Sequence, residues 1–440
     1  MTAIQAAAEK PTGAAGLIVS RRFAPLFWAQ FLSAFNDNAL KNALVLLIAY
    51  RPDIIGNWAP GVVIPLAGGL FILPFFLCSA TAGMLADTHD KAWLIRLIKF
   101  AEIFVMLAAA VAVIVGHAGW LLALLFAMGI EAAFFGPLKY AILPDLLSPR
   151  ELLLGNALVE AGTFLAILLG TIAGVLIAGA HGAAVVAVLI VAVAVTAWLS
   201  SRWITPAPPV AVGRPDWNLV AATARLIVDA ARTPVTFRSM LGISWFWLVG
   251  AMYLSQFPTY VRFVLGSEEA VVTLFLAVFS VGIGAGSLLC NWVLRGRISP
   301  KTVPWGALGI ALFSIDLWLA SPAAAGAATA PLLSLGGFLA RPASWRIIVD
   351  LLGIAVAGGV FILPLYALLQ VASDERVRAR TIAANNVINA AAMVVAALAT
   401  AGLIAAGVSI PGLFLLAGVA TIGVAAVFWR LAPSLRPTPG

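Results

Sequence analysis

Long apolar stretches divide this chain, and each is long enough to cross a lipid bilayer. A bilayer core about 30 Å thick needs about 20 consecutive apolar residues in a helix. Of the 440 residues, 63% are hydrophobic and 10% are charged, whereas a soluble domain is about 45–50% apolar and 25% charged. Because hydrocarbon offers the backbone no hydrogen bonds, each stretch must satisfy its own polar groups as a helix. The sequence therefore predicts an all-α integral membrane protein.

Twelve transmembrane helices are predicted. Their ranges are 23–50, 62–86, 92–116, 119–143, 152–180, 183–204, 238–264, 270–294, 302–320, 346–370, 380–406 and 411–431. Within the polar break after the sixth span, 217–232 has the pattern of an amphipathic helix on the membrane surface. The expected parts are a cytoplasmic tail (1–22), a six-helix bundle (23–204), a cytoplasmic linker (205–237), a second six-helix bundle (238–431) and a cytoplasmic tail (432–440).

The distribution of basic residues predicts the orientation of these spans. With the N-terminus in the cytoplasm, the inner segments hold 19 of the 26 Lys and Arg residues, and the outer segments hold four. Lys and Arg accumulate in cytoplasmic loops. We therefore expect a multi-pass protein of the bacterial inner membrane with both termini in the cytoplasm.

The first span carries polar residues that lipid does not tolerate. Residues 28–42 read WAQFLSAFNDNALKN, and a series at three- and four-residue steps contains Gln30, Ala34, Asp37, Lys41 and Leu44. Its polar members therefore lie on one helix face. An ionised side chain at a span centre costs about 2.5–3.5 kcal/mol on insertion scales. This face must therefore line a protein interior or a wet cavity, where a transporter handles a polar solute.

The two halves of the chain resemble each other. PLKYAILPDLLSPRELLLGNALVE (137–160) is similar to PLYALLQVASDERVRARTIAANNVIN (364–389), and GMLADTHDKAWLIR (83–96) stands where LRGRISPK (294–301) stands in the second half. Parallel six-helix repeats, and a loop of the 83–96 type, resemble the major facilitator superfamily. In that fold the substrate site lies near mid-membrane between the halves. The expected architecture is therefore two parallel six-helix repeats.

Three segments narrow the resemblance further. FLSAFNDNAL (31–40), PLKYAILPDLL (137–147) and LLGNALVEAGTFLAILLGTIAG (153–174) resemble the bacterial lysophospholipid transporter family, which includes transporter regions fused to acyltransferases. The resemblance spans nearly the whole chain, with shorter similarities at DWNLV (216–220) and GGVFILPLYALLQ (358–370). It implies transport of a lysophosphatidylethanolamine-like lipid toward the cytoplasmic side for reacylation. It also implies an acyltransferase as a functional partner, separate or fused.

Such a lipid requires carboxylates, cations and neutral hydrogen-bonding groups beside an apolar slot. The candidate substrate-binding residues are Asp37, Asn38, Lys41, Glu131, Lys139, Tyr140, Asn156 and Glu160. The aromatic residues expected to line sideways access for the acyl tail from the bilayer are Phe71, Phe75 and Phe76. The residues expected to gate the cytoplasmic side are Gly83, Asp87, Lys91, Asn385 and Asn389. No cofactor, metal or nucleic acid is expected.

Two other functions compete with this hypothesis. A membrane-embedded acyltransferase requires a His base with an Asp five residues later, but Leu94, Leu122 and Val186 follow the three histidines at that spacing, and no G-x-S-x-G elbow is present. The sequence therefore predicts that the chain is not an enzyme. A proton-coupled exporter of amphipathic small molecules, in which Asp37 carries the proton, remains open.

Overall fold

A computed structural model describes residues 13–50, 60–115, 118–209, 219–322 and 331–431. Most of the N-terminal tail, the C-terminal tail (432–440) and the middle of the linker (210–218) lie outside the described residues. The twelve main helices are α1 (Ala24–Tyr50), α2 (Pro60–Thr88), α3 (Lys91–Val115), α4 (Ala118–Ala141), α5 (Leu152–Ser201), α6 (Leu219–Ala231), α7 (Pro234–Thr259), α8 (Glu269–Leu294), α9 (Val303–Ala320), α10 (Pro342–Ala372), α11 (Arg378–Ala405) and α12 (Ile410–Leu431).

The described helices match the predicted spans closely. Eleven segments are long and apolar enough to cross a membrane, and α5 contributes two of them, Leu152–Gly174 and Ala184–Ser201. Adding α1, which carries Asp37 and Lys41, gives twelve segments among the described residues. The linker helix α6 lies where the sequence predicts an amphipathic helix, and its position relative to the membrane surface stays a prediction.

These helices form two compact units. The first unit comprises Met1–Thr236 and Gln370–Ala390, and the second comprises Phe237–Leu369 and Ala391–Gly440. The first unit therefore contains α1 to α6 and also the end of α10 and the start of α11.

Glycines allow the close helix packing of the first unit. A Cβ at Gly170 of α5 would meet the backbone carbonyl of Phe35 on α1, and one at Gly129 of α4 would meet that of Phe71 on α2. Asn36 Nδ2 donates to the carbonyl of Ile190 at 3.0 Å. Gly170 and Ile190 thus both lie beside the same turn of α1, although 20 residues of straight helix would separate them by about 30 Å. The two spans of α5 therefore run back past each other along α1.

An aromatic core holds the second unit together. The rings of Tyr253 (α7) and Phe414 (α12) stack with centroids 4.9 Å apart, and the hydroxyl of Tyr253 donates to Ser314 Oγ on α9 at 2.8 Å. Gly286 of α8 lies against the backbone of Val356 on α10. Large rings and small residues thus fill its core together, and the buried hydroxyl of Tyr253 has a hydrogen-bond partner, as a tyrosine in an apolar interior usually does.

Replacing Gly170 with Val should destabilise the protein, because the added side chain meets the backbone of α1, which cannot move aside without opening the α1–α5 contact. Overpacking of this kind costs about 1–3 kcal/mol. The expected result is a lower thermal midpoint in detergent, followed by intrinsic fluorescence. Gly423→Ala in α12, where nothing lies within 4 Å of the added Cβ, is the matched control and should leave the midpoint unchanged. Equal midpoints for both variants would contradict this packing.

Candidate functional site

The centre of the first unit holds a buried lysine between two glutamates. Lys99 on α3 is fully buried, and its Nζ lies 3.0 Å from Glu102 Oε2 and 2.5 Å from Glu131 Oε1 on α4. It also donates to Ser33 Oγ on α1 at 2.5 Å and lies 3.8 Å from the ring centroid of Phe135. Such a buried charge is stable only when opposite charges and hydrogen bonds surround it. This cluster therefore joins α1, α3 and α4.

Asp37 lies beside this cluster, where α1 presents its polar face. The side chain of Asp37 interacts electrostatically with Glu131, Glu102, Lys99 and Lys41, and its Oδ1 is buried without a hydrogen-bond partner. Lys41 Nζ donates to Asn38 Oδ1 at 3.2 Å rather than pairing with Asp37. The carboxyl group of Asp37 is therefore not paired with the lysine of its own helix.

A second cation faces the same region from α4. Lys139 is partly exposed, lies 5.0 Å from the ring centroid of Tyr140 and interacts electrostatically with Glu160, Asp37 and Glu131. The hydroxyl of Tyr140 donates to Glu160 Oε1 on α5. Among the described residues no ion pair involves Lys139, so its ammonium is available to an anionic ligand.

The three phenylalanines proposed for lipid access lie on α2 and are partly exposed. The rings of Phe71 and Phe75 are 6.4 Å apart, and Lys41 Nζ lies 6.0 Å from the ring centroid of Phe71. The carbonyl of Phe76 accepts a hydrogen bond from Thr223 of α6 at 3.3 Å. An aromatic strip thus begins beside the charged residues of α1.

Asn156 belongs to a separate polar contact. Its Nδ2 donates to Gln370 Oε1 at 2.7 Å, and Gln370 Nε2 donates back to Asn156 Oδ1 at 2.9 Å and to the carbonyl of Tyr140 at 3.2 Å. Both side chains are fully buried. The reciprocal amide pair fixes the end of α10 to α4 and α5, apart from the charged cluster.

Asp87, at the end of α2, caps the start of α11. Its Oδ1 accepts from the backbone N–H of Ala379 at 2.8 Å, and its Oδ2 accepts from the N–H of Arg380 at 3.2 Å and from Arg380 Nε at 3.0 Å. A carboxylate at a helix N-terminus satisfies free N–H groups and the helix dipole together. A Cβ at Gly83 would meet Ala383 and Arg380. The residues Gly83 and Asp87 therefore form one face packed on α11.

Lys91 does not share this contact with α11. Its Nζ lies 3.0 Å from Asp145 Oδ2, and its backbone N–H donates to the carbonyl of Ala207 at 3.0 Å. Asn385 is fully buried, with neither amide atom hydrogen-bonded, and Asn389 is buried one turn further along α11.

Sequence reasoning missed the centre of the cluster. None of Lys99, Glu102 and Gln370 is among the candidate residues that the sequence indicates. A usable signal was present, because Lys99 and Glu102 are three residues apart in an apolar span and must face the same way. Nothing local indicates Glu131 as their partner, since 29 residues separate Glu102 from Glu131.

Comparisons with known proteins agree with this architecture. Residues 26–361 match the family model of the Major Facilitator Superfamily. A bacterial homologue of the iron transporter ferroportin, crystallised in an outward-facing state, superimposes with a TM-score of 0.68 at 15% identity, covering 94% of this chain and all of that one. At that identity the likeness concerns the fold alone. The class is therefore a transporter of twelve helices, which confirms the predicted fold and excludes an enzyme of the acyltransferase type.

Two relatives identify the branch of this superfamily. The lysophospholipid transporter LplT of Serratia proteamaculans (strain 568) is 30% identical over 360 residues, which cover 80% of this chain and 81% of the relative. LplT of Escherichia coli O1:K1 / APEC is 32% identical over 356 residues, which cover 78% of each. The chain therefore belongs to the Major Facilitator Superfamily and, within it, to the family of these lysophospholipid transporters, as the resemblance implied.

Replacing Asp87 with Ala should loosen the start of α11, because three hydrogen bonds to one carboxylate disappear together. In a background with Cys78 and Cys290 replaced by Ser, a cysteine placed at the buried position Ala383 should react faster with a soluble maleimide. Lys91→Ala is the control, since Lys91 pairs with Asp145. Equal labelling rates in the two variants would contradict the assignment of this contact to Asp87.

Proposed function

We propose that this protein moves lysophospholipid across the bacterial inner membrane toward the cytoplasmic side, where the lipid is reacylated. The observation that carries this proposal is the similarity to lysophospholipid transporters over about four-fifths of both chains. The described site supports it, because it combines carboxylates and ammonium groups in an apolar bundle. A lysophospholipid with an ethanolamine head has complementary charges, because its ammonium can face the carboxylates and its phosphate can face the ammonium groups.

The charges of the site suggest how the head binds. Asp37 takes the ammonium, since its Oδ1 has no donor. The phosphate lies between Lys41 and Lys139, two partly exposed cations without an ion-pair partner among the described residues. Asn38 positions Lys41, and Tyr140 and Glu160 form the neighbouring wall. Glu131 does not contact the head in this proposal but holds Lys99 in place by its ion pair. Charge-assisted hydrogen bonds of this kind are the strong ones in a dry site.

Alternating access supplies the movement of the lipid, and we assign the cytoplasmic gate to the face of α2 that contains Gly83 and Asp87. The capping of α11 by Asp87 supports this role, and the unpaired amide of Asn385 and the neighbouring Asn389 belong to the same region of α11. Lys91 contributes to the gate by its ion pair with Asp145, which follows the end of α4. The termini lie in the cytoplasm in this proposal, and a separate or fused acyltransferase consumes the transported lipid there.

Replacing Asp37 with Asn should reduce transport of lysophosphatidylethanolamine about 10- to 100-fold, because a hydrogen bond to a charged group contributes about 1.5–3 kcal/mol. The measurement is uptake of labelled lipid by proteoliposomes that contain the purified protein. Asp316→Asn serves as the control, since Asp316 pairs with Arg346 in the second unit, and it should transport at the unmodified rate.

The proposal fails if the Asp37→Asn protein elutes as a folded monodisperse species and still transports at the unmodified rate. The exporter hypothesis predicts a different result, in which Asp37→Asn still binds substrate but loses the pH dependence of transport.

The acyl tail should reach the site sideways from the bilayer along Phe71, Phe75 and Phe76. Each buried methylene contributes about 0.8 kcal/mol, so a path that keeps the tail out of water costs far less than one through a wet cavity. Phe75→Gln should therefore impair lipid transport but leave binding of tail-less glycerophosphoethanolamine unchanged. Phe104→Gln, at an exposed position of α3, is the aromatic control. Equal transport of the tail-less head by the unmodified protein would exclude sideways access.

A further inference from the structure

The buried cluster of the first unit contains more acids than bases. Three carboxylates, those of Asp37, Glu102 and Glu131, act on the single ammonium of Lys99. The charged groups that face this cluster from each packed helix are Asp37 and Lys41 of α1, Lys99 and Glu102 of α3, Glu131 and Lys139 of α4, and Glu160 of α5. Four acids therefore meet three bases, which leaves one negative charge in excess within an apolar bundle.

Buried oxygen atoms without donors give a second, independent observation. Asp37 Oδ1, Glu102 Oε1 and Asn36 Oδ1 are inaccessible and have no hydrogen-bond partner, and Glu102 and Asn36 are buried at 1% and 0% exposure. An acceptor left unpaired in an interior costs about 1–3 kcal/mol. A single added cation supplies the missing positive charge and a donor for one of these acceptors.

A proton fits this position better than a metal ion. Lys99 Nζ already occupies the space between Glu102 and Glu131, and a hard cation at contact distance from it would be repelled. Among the described residues no group of three His, Cys, Asp or Glu side chains is arranged to hold a metal ion. A proton on one carboxyl oxygen adds the missing charge and one of the missing donors without needing further space.

We propose that the Lys99 cluster carries one exchangeable proton, shared by Asp37, Glu102 and Glu131, which leaves when the ammonium of an ethanolamine headgroup binds at Asp37. This inference rests on the proposed function. The exchange breaks one carboxyl O–H bond and passes its proton to solvent, while the ammonium donates N–H hydrogen bonds to the carboxylate. No covalent bond of the lipid changes, and the buried part of the site keeps the same charge, because one cation replaces another.

The exchange predicts opposite behaviour for two lipids with the same tail. Lysophosphatidylethanolamine has an ammonium to replace the proton, whereas lysophosphatidylglycerol has none. One-for-one competition changes the Kd tenfold per pH unit wherever the site is protonated. The Kd for lysophosphatidylethanolamine should therefore fall up to tenfold per unit rise in pH, while that for lysophosphatidylglycerol should stay constant.

The direct measurement is proton release on binding. The full-length protein in detergent is mixed with each lysolipid in weakly buffered solution that contains a pH indicator. Close to one proton should appear per lysophosphatidylethanolamine bound, and none per lysophosphatidylglycerol. Isothermal titration in buffers of different ionisation enthalpy gives the same count independently.

Two variants locate the proton. Glu131→Gln and, separately, Glu102→Gln leave three acids and three bases, so release should fall close to zero and the Kd should lose its pH dependence. Glu151→Gln is the matched control, because Glu151 is also buried but pairs with Arg22 at 2.5 Å, away from the cluster. It should release as many protons as the unmodified protein.

The outcomes separate this inference from the proposed function. Binding of both lysolipids without proton release, at a Kd independent of pH, would overturn the exchange and leave lysophospholipid transport standing. Binding of neither lysolipid at any pH would overturn the proposed function itself. Proton release that persists in Glu131→Gln and in Glu102→Gln would place the proton elsewhere and also overturn the assignment.

Discussion

A charged group inside an apolar bundle must be enclosed by partners, and the first unit is built around that requirement. Lys99 has contacts with two carboxylates, one hydroxyl and one aromatic ring, and these come from three helices. Because buried ion pairs gain little over apolar packing and lose much when one partner is missing, the three helices cannot shift independently. Glycines complete the packing around this cluster, since Gly170 brings α5 against α1 and Gly129 brings α4 against α2.

The cluster is not uniform, and its two sides differ in a way that matters for ligand binding. On the inner side, Lys99, Glu102 and Glu131 are buried and hold one another. On the outer side, Asp37, Lys41 and Lys139 are partly exposed, and none of them forms an ion pair among the described residues. The preorganised inner network sets the electrostatic environment of the outer groups, and the outer groups have no ion-pair partner that a ligand would need to displace. In the proposed function the inner groups hold the outer side chains in position, and the outer groups bind the lipid headgroup.

The bounds of the helices could be predicted from the sequence, but the side-chain contacts between helices could not, and the reason is physical. Span length and apolarity are local properties that the bilayer thickness imposes, and α2, α3 and α4 accordingly begin and end within about two residues of their predicted bounds. The polar face of α1 was also readable from helical periodicity. The pairing of Asn156 with Gln370, 214 residues away, depends on how helices rotate about their axes. That rotation is set by close packing at glycines and by the charged cluster together, and no local pattern records it.

The two units solve the problem of a polar interior differently, although their sequences repeat. Among the described residues of the second unit, Asp350 is the only charged side chain that is buried, and the other buried polar groups are hydroxyls and one glutamine. Its interior is filled by rings such as Tyr253 and Phe414. In a protein built from two six-helix repeats, most interior side chains can differ between the repeats, because the helix packing depends on small residues where helices cross. Among the described residues, buried charged side chains are therefore concentrated in the first unit, whereas aromatic rings fill the interior of the second.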